Sequence, residues 1–230
     1  MVILVKRLYE DDNTMSKYEY IIFDLDGTLI DPKIGQINSV EYALKSFNIH
    51  EFNKEILSKF IGPPLKESFA KYYNLKEEEI EKCIQKYREY FIDKGIEQAK
   101  VYDGIFEMLQ ELNQSNRKII MATSNPTAFA KKIAKIYKLE KYFCDICGSN
   151  MNGSRVLKQE VIAYAMKKNN IKELDKAVMV GDRLHDIVGA QKNKIDSIGV
   201  LYGYGSEKEI KDAKPNYYVK TVEDLKILLN

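Results

Sequence analysis

Residues 20–29 read YIIFDLDGTL, an apolar run of strand length that ends in two aspartates, Asp24 and Asp26, and a Gly-Thr turn. Side chains alternate along a strand, so residues two apart leave it on the same side. Two carboxylates held close together raise each other's pKa unless a positive group lies between them. A hard cation with oxygen ligands, such as Mg²⁺, would relieve that repulsion. Because Asp-Gly is also common in turns, the stretch alone fits a cation site and a plain strand end about equally well.

Two further strand-like segments end in polar residues. Lys118–Ala122 is followed by Thr123 and then by Ser-Asn-Pro, where the proline favours the start of a helix. Ala177–Val180 is followed by Gly-Asp-Arg-Leu-His-Asp, which contains Asp182 and Asp186. Each of these clusters therefore occupies the carboxyl end of a predicted strand.

Lys158 lies between these two segments, at the start of a helical pattern that continues to about Asn169. The four clusters thus follow one another as acid pair, hydroxyl, lysine and acid pair. In open parallel sheets, ligands bind at the edge formed by the carboxyl ends of the strands. The order and placement of the clusters predict that they meet in one site at that edge.

Taken together, the clusters resemble the motifs of the haloacid dehalogenase (HAD) superfamily of phosphotransferases, and specifically its phosphoglycolate-phosphatase-like branch. The resemblance covers nearly the whole chain from about Tyr18 onward. It implies a phosphoric monoester hydrolase that uses Mg²⁺ and an aspartyl-phosphate intermediate to hydrolyse a small phosphorylated metabolite. The matching residues are Asp24-Leu25-Asp26-Gly27-Thr28-Leu29, Thr123, Lys158, and Gly181-Asp182-Arg183 with Asp186.

The resemblance implies roles for four carboxylates. Asp24 would be the nucleophile and a metal ligand. Asp26 would be the general acid and base, and would also bind the metal through its backbone carbonyl. Dehalogenases of the superfamily lack this second aspartate, so its presence favours phosphoryl chemistry. Asp182 would be the remaining protein ligand of the metal, and Asp186, one helical turn later, would hold metal-bound water or orient the lysine.

Two further residues would complete the catalytic set. Thr123 would donate a hydrogen bond to a phosphoryl oxygen, although it or its neighbours could instead cap the following helix. Lys158 would neutralise charge on the phosphoryl group and on Asp24. Arg155 and Lys167 are the alternatives for this cation, since relatives often carry Lys-Pro where this chain reads Lys-Gln.

The alternation of strand and helix patterns predicts an α/β fold, with a Rossmann-like parallel-sheet core. Residues 32–100 differ, because apolar residues recur there at helical spacing without strand-like runs. We therefore predict a HAD-like core over 18–31 and 101–230, a helical domain inserted over 32–100, and an N-terminal extension over 1–17 whose first 14 residues are loosely attached. The resemblance implies that the insert is a small α-helical cap over the active site.

Composition narrows the class of protein. The 230 residues carry 36 basic and 34 acidic side chains, a net charge of +2, which is too balanced to indicate nucleic acid or an anionic membrane as a partner. No apolar run reaches the length of a membrane span. Three cysteines argue against a disulfide framework and favour a cytoplasmic protein. Cys144 and Cys147 have zinc-ligand spacing without a second pair, so we expect a buried strand there instead.

Several functions remain open on the sequence alone. The phosphatase could act on phosphoglycolate or, as a 5'-nucleotidase, on nucleoside monophosphates. A phosphomutase resembling β-phosphoglucomutase, or a pyrophosphatase, would use the same aspartates. A phosphate-binding module without catalysis would be expected to have lost Asp24, Asp26 or Asp182, and all three are present. The substrate and the oligomeric state cannot be derived from the sequence.

Overall fold

A computed structural model describes residues 17–51, 53–152 and 154–230, so most of the predicted extension over 1–17 lies outside the described residues. The described residues divide into two compact units, residues 17–29 with 101–230, and residues 30–100. The strands are β1 Tyr20–Phe23, β2 Ile30–Asp31, β3 Lys100–Val101, β4 Lys118–Pro126, β5 Asp145–Ser149, β6 Ala177–Gly181, β7 Asp196–Val200 and β8 Tyr217–Val219. The α-helices are α1 Lys33–Lys45, α2 Lys54–Ser58, α3 Leu65–Tyr72, α4 Glu77–Asp93, α5 Ile105–Gln114, α6 Thr127–Ile136, α7 Lys158–Lys168, α8 Leu184–Lys192, α9 Glu207–Asp212 and α10 Val222–Leu229.

The larger unit contains a parallel sheet of six strands in the order β5-β4-β1-β6-β7-β8. The central strand β1 buries Ile21, Ile22 and Phe23 completely. A strand covered on both faces has no solvent side, which is why its sequence is continuously apolar rather than alternating. The predicted α/β fold with a parallel-sheet core is confirmed.

The register of the central strands brings the predicted site residues to one level. Phe23 pairs with Met121 on β4 and with Val180 on β6. The backbone N–H of Asp24 donates to the carbonyl of Val180 at 2.9 Å. The residues that follow β1, β4 and β6 therefore emerge side by side at the carboxyl edge of the sheet.

Some boundaries differ from those that the sequence predicts. β4 continues to Pro126, beyond the expected end at Ala122, because its last residues pair with β5 after a shift in register. β5 covers Asp145–Ser149, whereas the sequence predicts a strand over about 143–147. The expectation that both cysteines are buried there is half right: Cys147 is buried and Cys144 is exposed. Cys144 precedes the strand, which explains its exposure.

The smaller unit is mainly helical. Helices α1 and α4 bury the apolar residues whose spacing predicts them, including Val40, Leu44, Cys83 and Ile84. Aromatic rings pack at α3, where Phe60 lies edge-on against Phe69 of that helix with 4.9 Å between ring centroids. The unit begins and ends in the paired strands β2 and β3.

Across the described ranges, no helix combines the length and the apolar character that a membrane span requires.

Candidate active site

A buried lysine joins two of the predicted carboxylates. Nζ of Lys158 lies 2.7 Å from Oδ1 of Asp24 and 2.9 Å from Oδ1 of Asp186. It also donates to the carbonyl of Ala122 at 3.2 Å. The side chain of Lys158 is only 4% exposed. α7 begins at this lysine, so the helix brings it to the end of β4 and the predicted pairing of Lys158 with Asp24 is present in the geometry.

At this cluster, burial shifts the pKa of Asp24 and of Lys158 in one direction, and the neighbouring opposite charges shift it in the other. Burial raises the pKa of Asp24 to about 6, even though the charge of Lys158 acts in the opposite direction. Burial alone would lower the pKa of Lys158, but Asp186 and Asp24 outweigh it and hold that pKa above its usual value. The lysine therefore stays charged, and it is shared between two acids.

Asp182 is a buried acid of the site with an incomplete set of hydrogen-bond donors. It follows β6 and is 1% exposed. The backbone N–H of Tyr204 donates to its Oδ2 at 2.7 Å, while Oδ1 is buried with no hydrogen-bond partner among the described residues. Burial, together with the nearby charges of Asp186 and Asp24, raises the pKa of Asp182 well above its ordinary range. A buried carboxylate oxygen without a donor is costly unless a cation lies against it.

Three acids lie close enough to share such a cation. Oxygens of Asp24, Asp182 and Asp186 all lie within 4.8 Å of one another. Hard divalent cations prefer carboxylate oxygens, and the unpartnered Oδ1 of Asp182 offers one. The donor set therefore fits a divalent metal ion. Asp186 is the least available of the three, because Lys158 and the N–H of Arg183 already bind its two oxygens.

Glycine at position 27 makes this packing possible. Gly27 has φ of +78°, in the left-handed region that favours glycine. A Cβ atom at this position would lie 2.1 Å from Oδ2 of Asp182. The Asp-Gly sequence after β1 is thus both a turn and a close contact between the first and last motifs.

The side chain of Asp26 lies apart from the three clustered acids. Its Oδ2 accepts a hydrogen bond from Nδ2 of Asn125 at 2.9 Å. Thr123 is 2% exposed, and its hydroxyl oxygen accepts from the N–H of Asn125 at 3.2 Å, so it retains a proton to donate. Thr123 does not cap α6, because this helix begins at Thr127 after Pro126, without a side-chain hydrogen bond at its N-cap.

The alternative cations occupy other positions. Nε of Arg155 donates to the carbonyl of Gly148 at 2.9 Å, and its guanidinium lies 3.7 Å from the ring centre of Tyr164. Lys167 is exposed on α7, and His185 is exposed on α8. Of the candidate cations, Lys158 is the one whose nitrogen contacts Asp24.

Sequence reasoning missed three contributors to the site. Asn125 contacts Asp26, and the backbone N–H of Tyr204 contacts Asp182. Glu209 on α9 accepts hydrogen bonds from Arg183 and from the N–H of Leu184, both at Oε1, which fixes the start of α8. Only Asn125 carried a signal, since it lies two residues after Thr123. A backbone donor has no side chain to identify it in a sequence.

Fold and site together define a hydrolase of the haloacid dehalogenase-like class. The profile of the haloacid dehalogenase-like hydrolases matches residues 21–200, and the chain belongs to this family. It is 37% identical to a 5'-nucleotidase of Pseudomonas aeruginosa over 213 residues, which cover 93% of this chain and 96% of that protein. A pyrophosphatase, PpaX, of Bacillus anthracis is 28% identical over 215 residues, which cover 93% of this chain and 97% of that protein.

Solved structures agree with this assignment. The crystal structure of a predicted phosphatase from Clostridium acetobutylicum superposes with a TM-score of 0.87 and 47% identity, and covers 91% of this chain and 96% of that one. The relatives and structural neighbours indicate that the chain is a phosphatase of the HAD family. The predictions of family and of enzyme class are confirmed.

Proposed function

We propose that this phosphatase is a Mg²⁺-dependent phosphomonoesterase that works through an aspartyl-phosphate on Asp24. The observation that carries the proposal is the buried Oδ1 of Asp182, which has no hydrogen-bond partner among the described residues. Asp182 lies in one cluster with Asp24, and the lysine of that cluster, Lys158, already binds Asp24. Such a cluster destabilises the fold until an additional positive charge occupies it. The side chains of Asp24 and Asp182 would hold the metal ion, and the resemblance adds the backbone carbonyl of Asp26.

Bound Mg²⁺ would supply the positive charge that lets the phosphoryl group approach Asp24. Lys158 holds Oδ1 of Asp24, so the other carboxylate oxygen is the one that would attack phosphorus. As the P–O bond to the leaving group breaks, Asp26 would give its proton to the departing oxygen. Thr123 would donate its hydroxyl proton to a phosphoryl oxygen, and Lys158 would stabilise the added charge.

The second half of the reaction would reverse the role of Asp26. As a carboxylate, it would take a proton from water, and the resulting hydroxide would attack phosphorus of the aspartyl-phosphate. The bond between Asp24 and phosphorus breaks, inorganic phosphate leaves, and Asp24 is regenerated as a carboxylate. Asp26 is then protonated again and ready for the next substrate.

Nucleoside monophosphates are the first substrates to test, because the 5'-nucleotidase relative aligns over almost its whole length. Pyrophosphate is the second, supported by the weaker identity to PpaX. Phosphoglycolate rests on the resemblance of the motifs. We propose that the helical unit of residues 32–100 determines which of these substrates is accepted, in the role of the cap of the phosphoglycolate-phosphatase-like branch.

Phosphate release should be measured over these three substrates and a set of sugar phosphates, with Mg²⁺ and with a chelator. The expected result is release that requires Mg²⁺ and is strongest with one compound. Asp182→Asn should lower the apparent affinity for Mg²⁺, and Asp145→Asn is the matched control at the opposite edge of the sheet. Undiminished release in the chelator would contradict the metal requirement. Isomerisation of a sugar phosphate without release would instead show a mutase.

A further inference from the structure

The segment that carries Thr123 and Asn125 is a bulge in the sheet. Ala122 pairs with Cys147, but the next pair is Pro126 with Ser149. Four steps along β4 therefore match two steps along β5. Residues 123–125 stand opposite Gly148 alone, two more than a regular pairing would place there, and they leave the regular pleat, as bulges do where a strand must redirect a side chain.

Contacts from β5 and within the bulge fix its conformation. The hydroxyl of Ser149 donates to the carbonyl of Ser124 at 2.9 Å. Gly148 packs so closely that a Cβ atom there would lie 2.2 Å from the carbonyl oxygen of Asn125. The N–H of Asn125 is bound to the hydroxyl oxygen of Thr123 at 3.2 Å. The backbone of Asn125 is therefore held on both sides, and its side chain has a defined direction.

That direction leads to Asp26. Nδ2 of Asn125 lies 2.9 Å from Oδ2 of Asp26, a normal hydrogen-bond length, although 99 positions separate the two residues. We propose that Asn125 is a positioning residue that orients the carboxyl group of Asp26 for proton transfer. The inference rests on the proposed role of Asp26 as general acid and base. It adds a residue that the motif resemblance does not include.

A neutral amide suits this task. Asp26 must lose a proton to the leaving group and regain one from water in each cycle, so a fixed charge beside it would favour one protonation state throughout. An amide N–H restrains one oxygen of Asp26 without adding a charge of its own. Proton transfer depends on hydrogen-bond reach, so loss of this orientation slows the chemical step.

The test compares two leaving groups. Departure of an alkoxide from an alkyl phosphate such as glycerol phosphate needs a proton, whereas the nitrophenolate of 4-nitrophenyl phosphate leaves without one. kcat/KM reports only the steps up to the departure of the alcohol. We expect Asn125→Ala to lower kcat/KM by about 10- to 100-fold for the alkyl phosphate and by less than about threefold for the nitrophenyl ester.

Asn125→Leu removes the donor at a similar side-chain volume without adding a charge, and should give the same pattern if the alanine variant folds poorly. Asn193→Ala is the matched control, because its amide donates to the carbonyls of Gln159 and Gly189 outside the site. It should leave both rates unchanged. Equal losses with both esters, or no loss in either Asn125 variant, would overturn the positioning role.

A double-mutant cycle separates this inference from the function on which it rests. Asp26→Asn should show the same dependence on leaving group, more strongly, and Asn125→Ala should add little in that background. If Asp26→Asn lacks the dependence in an otherwise active enzyme, the assigned general acid is wrong. If Asp26→Asn shows it but Asn125→Ala adds its full effect in the double variant, the two residues act independently and only the positioning role fails.

Discussion

The two edges of the six-stranded sheet surround their aspartates with different sets of hydrogen-bond donors. At the amino edge, Asp145 begins β5 and binds Nζ of Lys168 at 2.7 Å, Nδ2 of Asn169 at 3.1 Å and the N–H of Ile146 at 2.9 Å. Burial works against its charge, yet these donors together lower the pKa of Asp145 below its usual value. At the carboxyl edge, Asp182 has one backbone donor and two acidic neighbours, and its pKa is raised.

This difference fits Asp145 as a structural carboxylate and supports Asp182 as the proposed metal ligand. An acid whose oxygens all have donors stabilises the fold and has little capacity to bind anything else. An acid left short of donors destabilises the fold until a ligand supplies the missing charge. The contrast predicts that removing the charge of an acid at the carboxyl edge lowers activity without lowering stability. Removing the charge of Asp145 should lower stability without lowering activity.

The largest effect is expected from Asp24→Asn. Loss of the nucleophile should lower kcat by about 10⁴-fold or more, because the proposed covalent intermediate forms on Asp24. The metal-free variant should be at least as resistant to heat as the wild type, since a neutral amide replaces a carboxylate whose pKa is raised by burial. Phosphate release and thermal unfolding would check both parts. A variant that kept a tenth of the wild-type rate would exclude Asp24 as the nucleophile.

Lys158→Met should be the next most damaging change. It removes the cation that binds Asp24 and Asp186, and we expect kcat to fall by about 10²- to 10³-fold. Leaving two buried acids without their partner should cost about 3–5 kcal/mol of unfolding free energy at pH 7.5. Denaturant unfolding at pH 7.5 and pH 5 would measure this cost, which should shrink at the lower pH as the acids become protonated. An equal cost at both pH values would contradict the charge argument.

The carboxyl edge should also make stability depend on pH and metal. Folded Asp24 has a pKa of about 6 against a normal 3.8, so between these values the folded state binds more protons than the unfolded state. Stability of the metal-free protein therefore falls as pH rises through this window. Saturating Mg²⁺ should raise the melting temperature by about 5 °C at pH 7.5 and by less at pH 5. A larger rise in melting temperature at pH 5 than at pH 7.5 would contradict this prediction.

The smallest effect is expected from Asp145→Asn at the amino edge. The variant keeps its shape but weakens the charge-assisted hydrogen bonds, so we expect a loss of about 1–2 kcal/mol in unfolding free energy. kcat should stay within about twofold of the wild type, because the hydrogen bonds of Asp145 are to Lys168, Asn169 and Ile146 and to none of the proposed reacting groups. Denaturant unfolding and phosphate release, run beside Asp24→Asn, would give the direct contrast between the two edges.

The α/β core could be predicted from the sequence, and so could the position of the motifs at one edge of the sheet. Both follow from the same fact, since apolar strands followed directly by polar residues place those residues at the carboxyl ends of parallel strands. Asp24, Lys158 and Asp186 were recognisable because each carries its chemistry in its own side chain. Their mutual distances depend on the register of strands far apart in the chain.

What the sequence could not supply is the supporting geometry. The contact of Asn125 with Asp26 depends on the shift in pairing between β4 and β5, and a register shift leaves no clear mark in either strand. The donor to Asp182 is a backbone N–H at Tyr204, so no residue type identifies it. The need for glycine at position 27 is visible only once Asp182 is known to lie against it.

The pairing of β2 with β3 has a consequence for the kinetics of folding. β1 and β4 are neighbours in the sheet although Tyr20 and its partner Lys118 are about 100 positions apart. Residues 30–100 make up most of that distance, and β2 and β3 hold their two ends together, aided by the hydrogen bond from Gly35 to Gln98. If these residues fold first, the loop that remains to be closed is only about 30 residues, which lowers its entropic cost by about 1 kcal/mol. The insertion would then shorten the effective contact order of the core, and the pairing of β1 with β4 would form early.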